Sequence, residues 1–139
     1  MATVRKEIVT PARPEQVWDA IRDIGALHTR LVPGFVVATR VEPGARPAAR
    51  VVTFANGVTV REPIVTLDDA AMRLVWSVEG LPTTHYNAAV QVVPGTDATR
   101  VVWIADFLPD AMADEIEAAM QAGAEAMQAA LARLDTDAP

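Results

Sequence analysis

Residues 50–67, Arg-Val-Val-Thr-Phe-Ala-Asn-Gly-Val-Thr-Val-Arg-Glu-Pro-Ile-Val-Thr-Leu, decide the fold. Two β-prone runs, Arg50 to Phe54 and Val58 to Leu67, flank Asn56-Gly57, a strong hairpin signal. A two-residue turn would pair Ala55 with Val58. Phe54 would then share a face with Arg50, Thr59 and Arg61. A three-residue loop, Ala55-Asn56-Gly57 with Gly57 left-handed, pairs Phe54 with Val58 instead. Then Val52, Phe54, Val58, Val60 and Ile64 share one apolar face, while Thr53, Thr59 and Arg61 turn outward. The second register is preferred, because it buries Phe54 and gives the cleaner alternation. It also makes Arg50 and Glu62 direct cross-strand neighbours on the inner face. Pro63 cannot donate to a ladder, so it predicts an edge position or a bulge.

Outward from the hairpin, the same alternation continues. Val4 to Thr10 reads as a strand stopped by Pro11 and Pro14, and Pro14 suits the first turn of a helix. Val17, Trp18, Ile21 and Ile24 recur at helical spacing, and Gly25 is expected to end that helix. A short second helix or turn, about Ala26 to Val32, leads to Pro33-Gly34. Phe35 to Glu42 is a strand, with Phe35, Val37, Thr39 and Val41 expected inside. Beyond the hairpin, Asp68-Asp69 marks a turn. Strands then run over Arg73 to Glu79, His85 to Val93 and Arg100 to Leu108. Their inner residues include Trp76, Tyr86, Ala88, Val90, Trp103 and Phe107. A sheet with one dry face and one wet face is antiparallel and covered on one side only.

The cover is the last element. Asp110 can cap it, and Asp114 and Glu115 suit its positive end. Met112, Ile116, Ala119, Met120, Gly123, Met127, Leu131 and Leu134 form an apolar stripe of about six turns. Three methionines and small residues make this face adaptable, as suits the wall of a cavity. A helix simply packed on a sheet is the plainer reading.

Composition excludes several chemistries. At 139 residues the chain is read as one domain, 1–139, large enough to bury a core. It has no cysteine, so disulfides, thiol catalysis and cysteine metal sites are ruled out. No metal and no cofactor is expected. The net charge of −6 argues against a nucleic-acid partner. No apolar run is long enough to span a membrane. The first ten residues alternate charged and apolar side chains and do not read as a signal peptide, so cytoplasm is the expected compartment. Monomer and homodimer are both open.

Order and local fragments together carry a resemblance. The fragments are Pro14-Glu15-Gln16-Val17-Trp18 with Ile21 and Asp23, then Gly57 with Val60 and Glu62. Leu67-Asp68-Asp69, Leu74-Val75-Trp76, Tyr86 and Val101-Val102-Trp103 follow. A strand, two short helices, six strands and a long C-terminal helix resemble the START-like, helix-grip superfamily (SRPBCC). It includes polyketide cyclase/dehydrase proteins, lipid carriers, birch-pollen-type allergens and plant abscisic acid receptors. The resemblance implies an α+β fold, with a curved antiparallel sheet of about seven strands gripping the last helix. It also implies a small hydrophobic or amphipathic ligand, such as a lipid or polyketide, between them. The segment Glu62 to Asp69 resembles the abscisic acid receptors, whose matching glutamate faces the ligand. The receptors' long gating loop is absent at Asn56-Gly57. Gly80-Leu81-Pro82 resembles its motif one connection later, and the receptors' ligand-binding lysine has no clear counterpart.

Three functions are open at this point. In a binding protein, Phe35, Val37, Phe54, Val60, Trp76, Ala88, Trp103 and Phe107 would line the sheet side. Met112, Ile116, Met120 and Met127 would line the helix side, while Arg50, Glu62 and Tyr86 fix orientation. In a cyclase, aromatase or dehydratase, Glu62 would be the acid/base, Tyr86 a donor to a developing enolate and Arg50 an anchor. In an interaction module, side chains would fill the cavity. Arg50–Glu62 also reads as a purely structural pair. Trp18 reads as core, His85 as surface, His28 as a solvated or capping residue, and Asp68-Asp69 as a turn.

Overall fold

The computed structural model describes residues 2–136; Met1 and residues 137–139 of the expected domain lie outside them. Strand β1 (Ala2–Thr10) leads through Pro11 into helix α1 (Pro14–Arg22). A tight 3-10 turn and a wide π turn, together covering 24–31, follow before β2 (Val36–Val41). Strands β3 (Ala49–Phe54), β4 (Thr59–Asp68), β5 (Arg73–Ser77), β6 (His85–Val93) and β7 (Thr99–Leu108) complete the sheet. Helix α2 (Ala113–Thr136) closes the chain. The seven strands are ordered β1-β7-β6-β5-β4-β3-β2, and each neighbouring pair is antiparallel. This is the helix-grip arrangement expected.

The hairpin takes the three-residue register. Phe54 N–H donates to the Val58 carbonyl at 2.8 Å, and Gly57 adopts φ +90°. That conformation favours glycine because it has no Cβ. Asn56 Oδ1 accepts from Val58 N–H and tightens the loop. Val52 pairs with Val60 and Arg50 with Glu62.

Four local expectations are corrected. First, of the two places offered for Pro63 the edge is excluded, since β4 lies between β3 and β5, while an irregularity in the β4–β5 ladder does lie beside it. The ladder skips it, running from the Arg61–Glu79 bridge to the Ile64–Trp76 pair, with a shift before Thr66. Second, Gly25 does not end α1, which stops at Arg22. Its hydrogen is needed because a Cβ there would lie 3.0 Å from Val41 Cγ2. Third, Asp110–Met112 forms a 3-10 turn, and α2 proper begins at Ala113. Fourth, Val37 faces solvent, 54% exposed, and Val36 takes its inward place opposite Phe54. A bulge between Val36 and Ala38 inserts one extra residue and reverses the alternation locally. Thr39 and Val41 return to the face of Val52 and Arg50, although Val41 remains 43% exposed.

Helix α2 lies along β1. Lys6 on β1 bridges Glu117 and Gln121 of α2, and Gln128 donates to the Val9 carbonyl. Its buried stripe is Ile116, Met120, Gly123, Ala124, Met127, Ala130 and Leu131, whereas Ala119 is exposed. The stripe therefore sits slightly rotated from the one expected. Trp18 is core, and its indole N–H donates to Asp69 at 2.9 Å, which ties α1 to the β4–β5 turn. Arg22 donates to the same carboxylate and, with Trp18, holds its pKa below the usual aspartate value.

Candidate functional site

Between the sheet and α2 lies a cavity of about 1020 Å³. That is at the upper end of the usual range for small-molecule sites. Phe35, Phe54 and Trp76 form part of its sheet wall, and Trp103 and Tyr86 extend it. Met112, Ile116, Met120 and Met127 form the α2 side. Phe35 and Phe54 meet edge to face at 5.2 Å, a favourable aromatic geometry. Gly123 lets α2 approach this wall, since a Cβ there would lie 2.9 Å from the Trp103 ring.

The polar groups converge from neighbouring strands. Because Arg50 of β3 and Glu62 of β4 are cross-strand partners, their side chains leave the sheet on one face. Arg50 Nε donates to Glu62 Oε1 at 2.8 Å, and both side chains are almost fully buried, 2% and 7% exposed. Arg50 Nη1 donates to the Ile24 carbonyl at 3.3 Å, and its guanidinium stacks over Trp76 at 5.4 Å. Every contact compensates the cost of removing this cation from water. Burial pushes the Glu62 pKa up, while the Arg50 charge and the Trp76 indole N–H pull it back. Tyr86 stacks on Phe107 at 5.9 Å. Burial, and then the Glu62 charge, push its phenol well above the usual tyrosine value, so it stays neutral. Among the described residues the Tyr86 hydroxyl has no hydrogen-bond partner.

The expected site residues divide into three groups. Eleven meet at the cavity: Arg50, Glu62 and Tyr86, the four aromatics Phe35, Phe54, Trp76 and Trp103, and the four helix residues Met112, Ile116, Met120 and Met127. Val60, Ala88 and Phe107 are buried in the core on the same face but do not reach the cavity. Val37 is outside, for the bulge reason given above. The sequence reading missed the turn before β2, where Leu27, Leu31 and Val32 close one end of the cavity. Leu81 of the Gly80-Leu81-Pro82 connection, whose motif resembles that of the receptors' gate, also lines the cavity. The apolar positions of 27–32 were the available signal, but their irregular helical turns carry no clean period. His28 does not line the cavity, and its Nδ1 is buried without a partner among the described residues, so that nitrogen is neither solvated nor a cap. His85 is exposed at the start of β6, as expected. Asp68-Asp69 is a turn, and no cluster that could hold a metal occurs among the described residues.

Known structures share this architecture. A solution structure from Thermobifida fusca is 28% identical over 97% of this chain and 96% of its own, with a TM-score of 0.77. The protein XoxI of Bacillus cereus is 24% identical over the full length of both chains, with a TM-score of 0.82. An aromatase/cyclase from Streptomyces sp. R1128 is 14% identical, covers 94% of this chain and 91% of its own, and has a TM-score of 0.77. No curated protein matches the sequence. The family model described as polyketide cyclase / dehydrase and lipid transport matches residues 1–138. Sheet, gripped helix and sequence thus agree, and the chain belongs to that family.

Proposed function

We infer that this protein binds a small, mostly apolar molecule, such as a lipid, polyketide or aromatic metabolite, in the cavity between the sheet and α2. The observation that carries this reading is the cavity itself, about 1020 Å³ with aromatic and methionine walls and a buried ion pair at one side. A filled core would have closed that space, because interiors pack densely. The aromatic rings supply contact area, the methionines adapt to shape, and Glu62 and Tyr86 orient the polar part of the ligand. Arg50, Phe35, Phe54, Trp76, Trp103, Met112, Ile116, Met120 and Met127 complete the binding residues. We read the chain as a single cytoplasmic domain that carries or senses its ligand.

Proton-transfer chemistry of the cyclase or dehydratase kind is the second reading. It is favoured by the unpartnered Tyr86 hydroxyl close to a carboxyl whose pKa burial raises. The Arg50 ion pair weighs against it, since a paired carboxylate is a poor general acid.

Native mass spectrometry of freshly purified protein, with identification of anything released on denaturation, tests the binding reading. Titration with pyrene, a neutral fluorescent hydrocarbon, supplements it. A co-purifying apolar molecule, or saturable uptake of one pyrene, is expected. A bare protein mass together with no pyrene uptake would overturn it.

A further inference from the structure

We propose that the cavity selects apolar ligands whose head group is a non-anionic hydrogen-bond donor, a hydroxyl, phenol or protonated amine, and that it rejects carboxylates. This rests on the binding reading above and names the ligand class for the same site.

The inference comes from the charges that line the cavity. They are Arg50, Glu62, Glu115 and Glu125. Among the described lining residues Arg50 is the one cation, and Glu62 is its counter-ion. The Arg50 side chain is 2% exposed, Nε is bound to Glu62, Nη1 is bound to the Ile24 carbonyl, and Trp76 covers its face. The pair of Arg50 with Glu62 is neutral as a whole, so it offers a ligand anion no net positive charge. Glu115 and Glu125 are exposed on α2 at the cavity mouth. An entering carboxylate would therefore pass two acidic side chains and come to rest beside a third. The net charge of −6 adds to the repulsion.

The same groups favour a donor. The two Glu62 carboxylate oxygens have about four acceptor positions, of which Arg50 takes one on Oε1 and the Trp76 indole N–H another. Burial raises the Glu62 pKa and the Arg50 charge pulls it back. We take the pair as ionised at neutral pH, where protonation would leave the buried guanidinium without its counter-ion. A donor there makes a charge-assisted bond, roughly twice as strong as a neutral one. The Tyr86 hydroxyl is neutral and unpartnered, so it can accept from the same head group or donate to a ligand oxygen. Both groups line the cavity, so a hydroxyl or amine can pair with Glu62 and with Tyr86, whereas a carboxylate cannot pair with Glu62.

The test is a matched series on one ring system: pyrene, pyrenemethanol, pyrenemethylamine and pyrenecarboxylate, titrated by fluorescence at neutral pH. Pyrenemethanol and pyrenemethylamine are expected to bind at least about tenfold tighter than pyrenecarboxylate, since apposed like charges are costly at an interface. Glu62→Gln should shrink that gap to within about threefold, since it removes the buried negative charge. A mouth variant, Glu115→Gln with Glu125→Gln, changes only exposed side chains and keeps the test open if Glu62→Gln fails to fold. It should speed association of pyrenecarboxylate and leave that of pyrene unchanged. Equal or tighter binding of pyrenecarboxylate would overturn the inference while the binding reading stood. Failure of all four, pyrene included, would overturn both.

Discussion

The two ends of the sheet obey one pattern and reach different results. At the β1–β7 end, Ile8, Val101, Ala105 and Phe107 are at most 1% exposed, and Leu131 of α2 is equally buried. At the β2–β4 end the same inward alternation faces the short turns of 24–31 in place of a packed stretch of α2. Phe54 is half-buried, Val58 is 39% exposed, and the space in front of them is the cavity. The difference lies in what α2 presents. It is pinned to β1 through Lys6 and Gln128, and toward the hairpin it offers Ala118, Ala119, Ala122 and Ala126. Short side chains on a helix held against one edge leave the other edge unfilled. The Arg50–Glu62 pair stands on the unfilled side, where a ligand could reach it.

The largest expected effect breaks the unfilled side. Arg50→Met removes one member of a buried pair and should destabilise the protein by about 3–5 kcal/mol at neutral pH. Urea unfolding would measure it. The loss should shrink in acid, because Glu62, left without its counter-ion, can then take a proton. Adding Glu62→Leu should recover most of the stability at all pH values. A lone Arg50→Met variant as stable as the parent would mean that the pair is not desolvated.

The next test sharpens the contrast between the ends. Leu131→Ala empties a fully packed position and should cost about 2–5 kcal/mol. Met112→Ala, at the cavity mouth, should cost under about 1 kcal/mol, because its surroundings already hold space. Similar losses at both positions would show that the cavity mouth is packed as tightly as the β1 end.

These differences explain what could be read from the sequence. The hairpin register was legible because only one closure buries Phe54, and the placement of Arg50 beside Glu62 followed from it. The inward aromatics on β5 to β7 were legible because those strands alternate without interruption. Val37 failed because a bulge is a single inserted residue, and Val36-Val37 reads equally well in either phase. The lining from Leu27, Leu31 and Val32 failed because a 3-10 turn followed by a π turn has no single repeat. Gly25 was read as a helix stop, though a close approach by Val41 is what requires it. The cavity was not legible either, since a stripe of methionine and alanine suits a packed helix as well as an open one.

A third prediction uses the titration of Glu62. Burial raises its folded pKa above the ordinary 4.5. The folded protein therefore holds this proton more tightly than the unfolded chain does. The resulting stabilisation is complete below about pH 4.5 and is lost as pH rises through the raised value. Glu62→Gln cannot titrate there. The stability advantage of the parent over this variant should thus fall steadily as pH rises from about 4 upward, as read from midpoints of thermal unfolding. An advantage that grew with pH would mean that Arg50 outweighs burial and holds the carboxyl below its ordinary value.

The smallest effect on stability gives the sharpest information about entry. Ala119 is exposed on α2 and lines the mouth of the cavity. Ala119→Trp adds bulk where no packing is disturbed, so stability should change by no more than about 0.5 kcal/mol. The indole would narrow the opening between α2 and the Phe35 wall. Pyrene should then associate and dissociate more slowly, with little change in its equilibrium affinity, because a gate alters both rates together. Stopped-flow fluorescence separates the two quantities. Unchanged rates would move the entrance away from this face, toward Leu81 and the β5–β6 connection. A large loss of affinity would instead make Ala119 part of the bound surface, and the exposed flank of α2 would belong to the site as well as to its mouth.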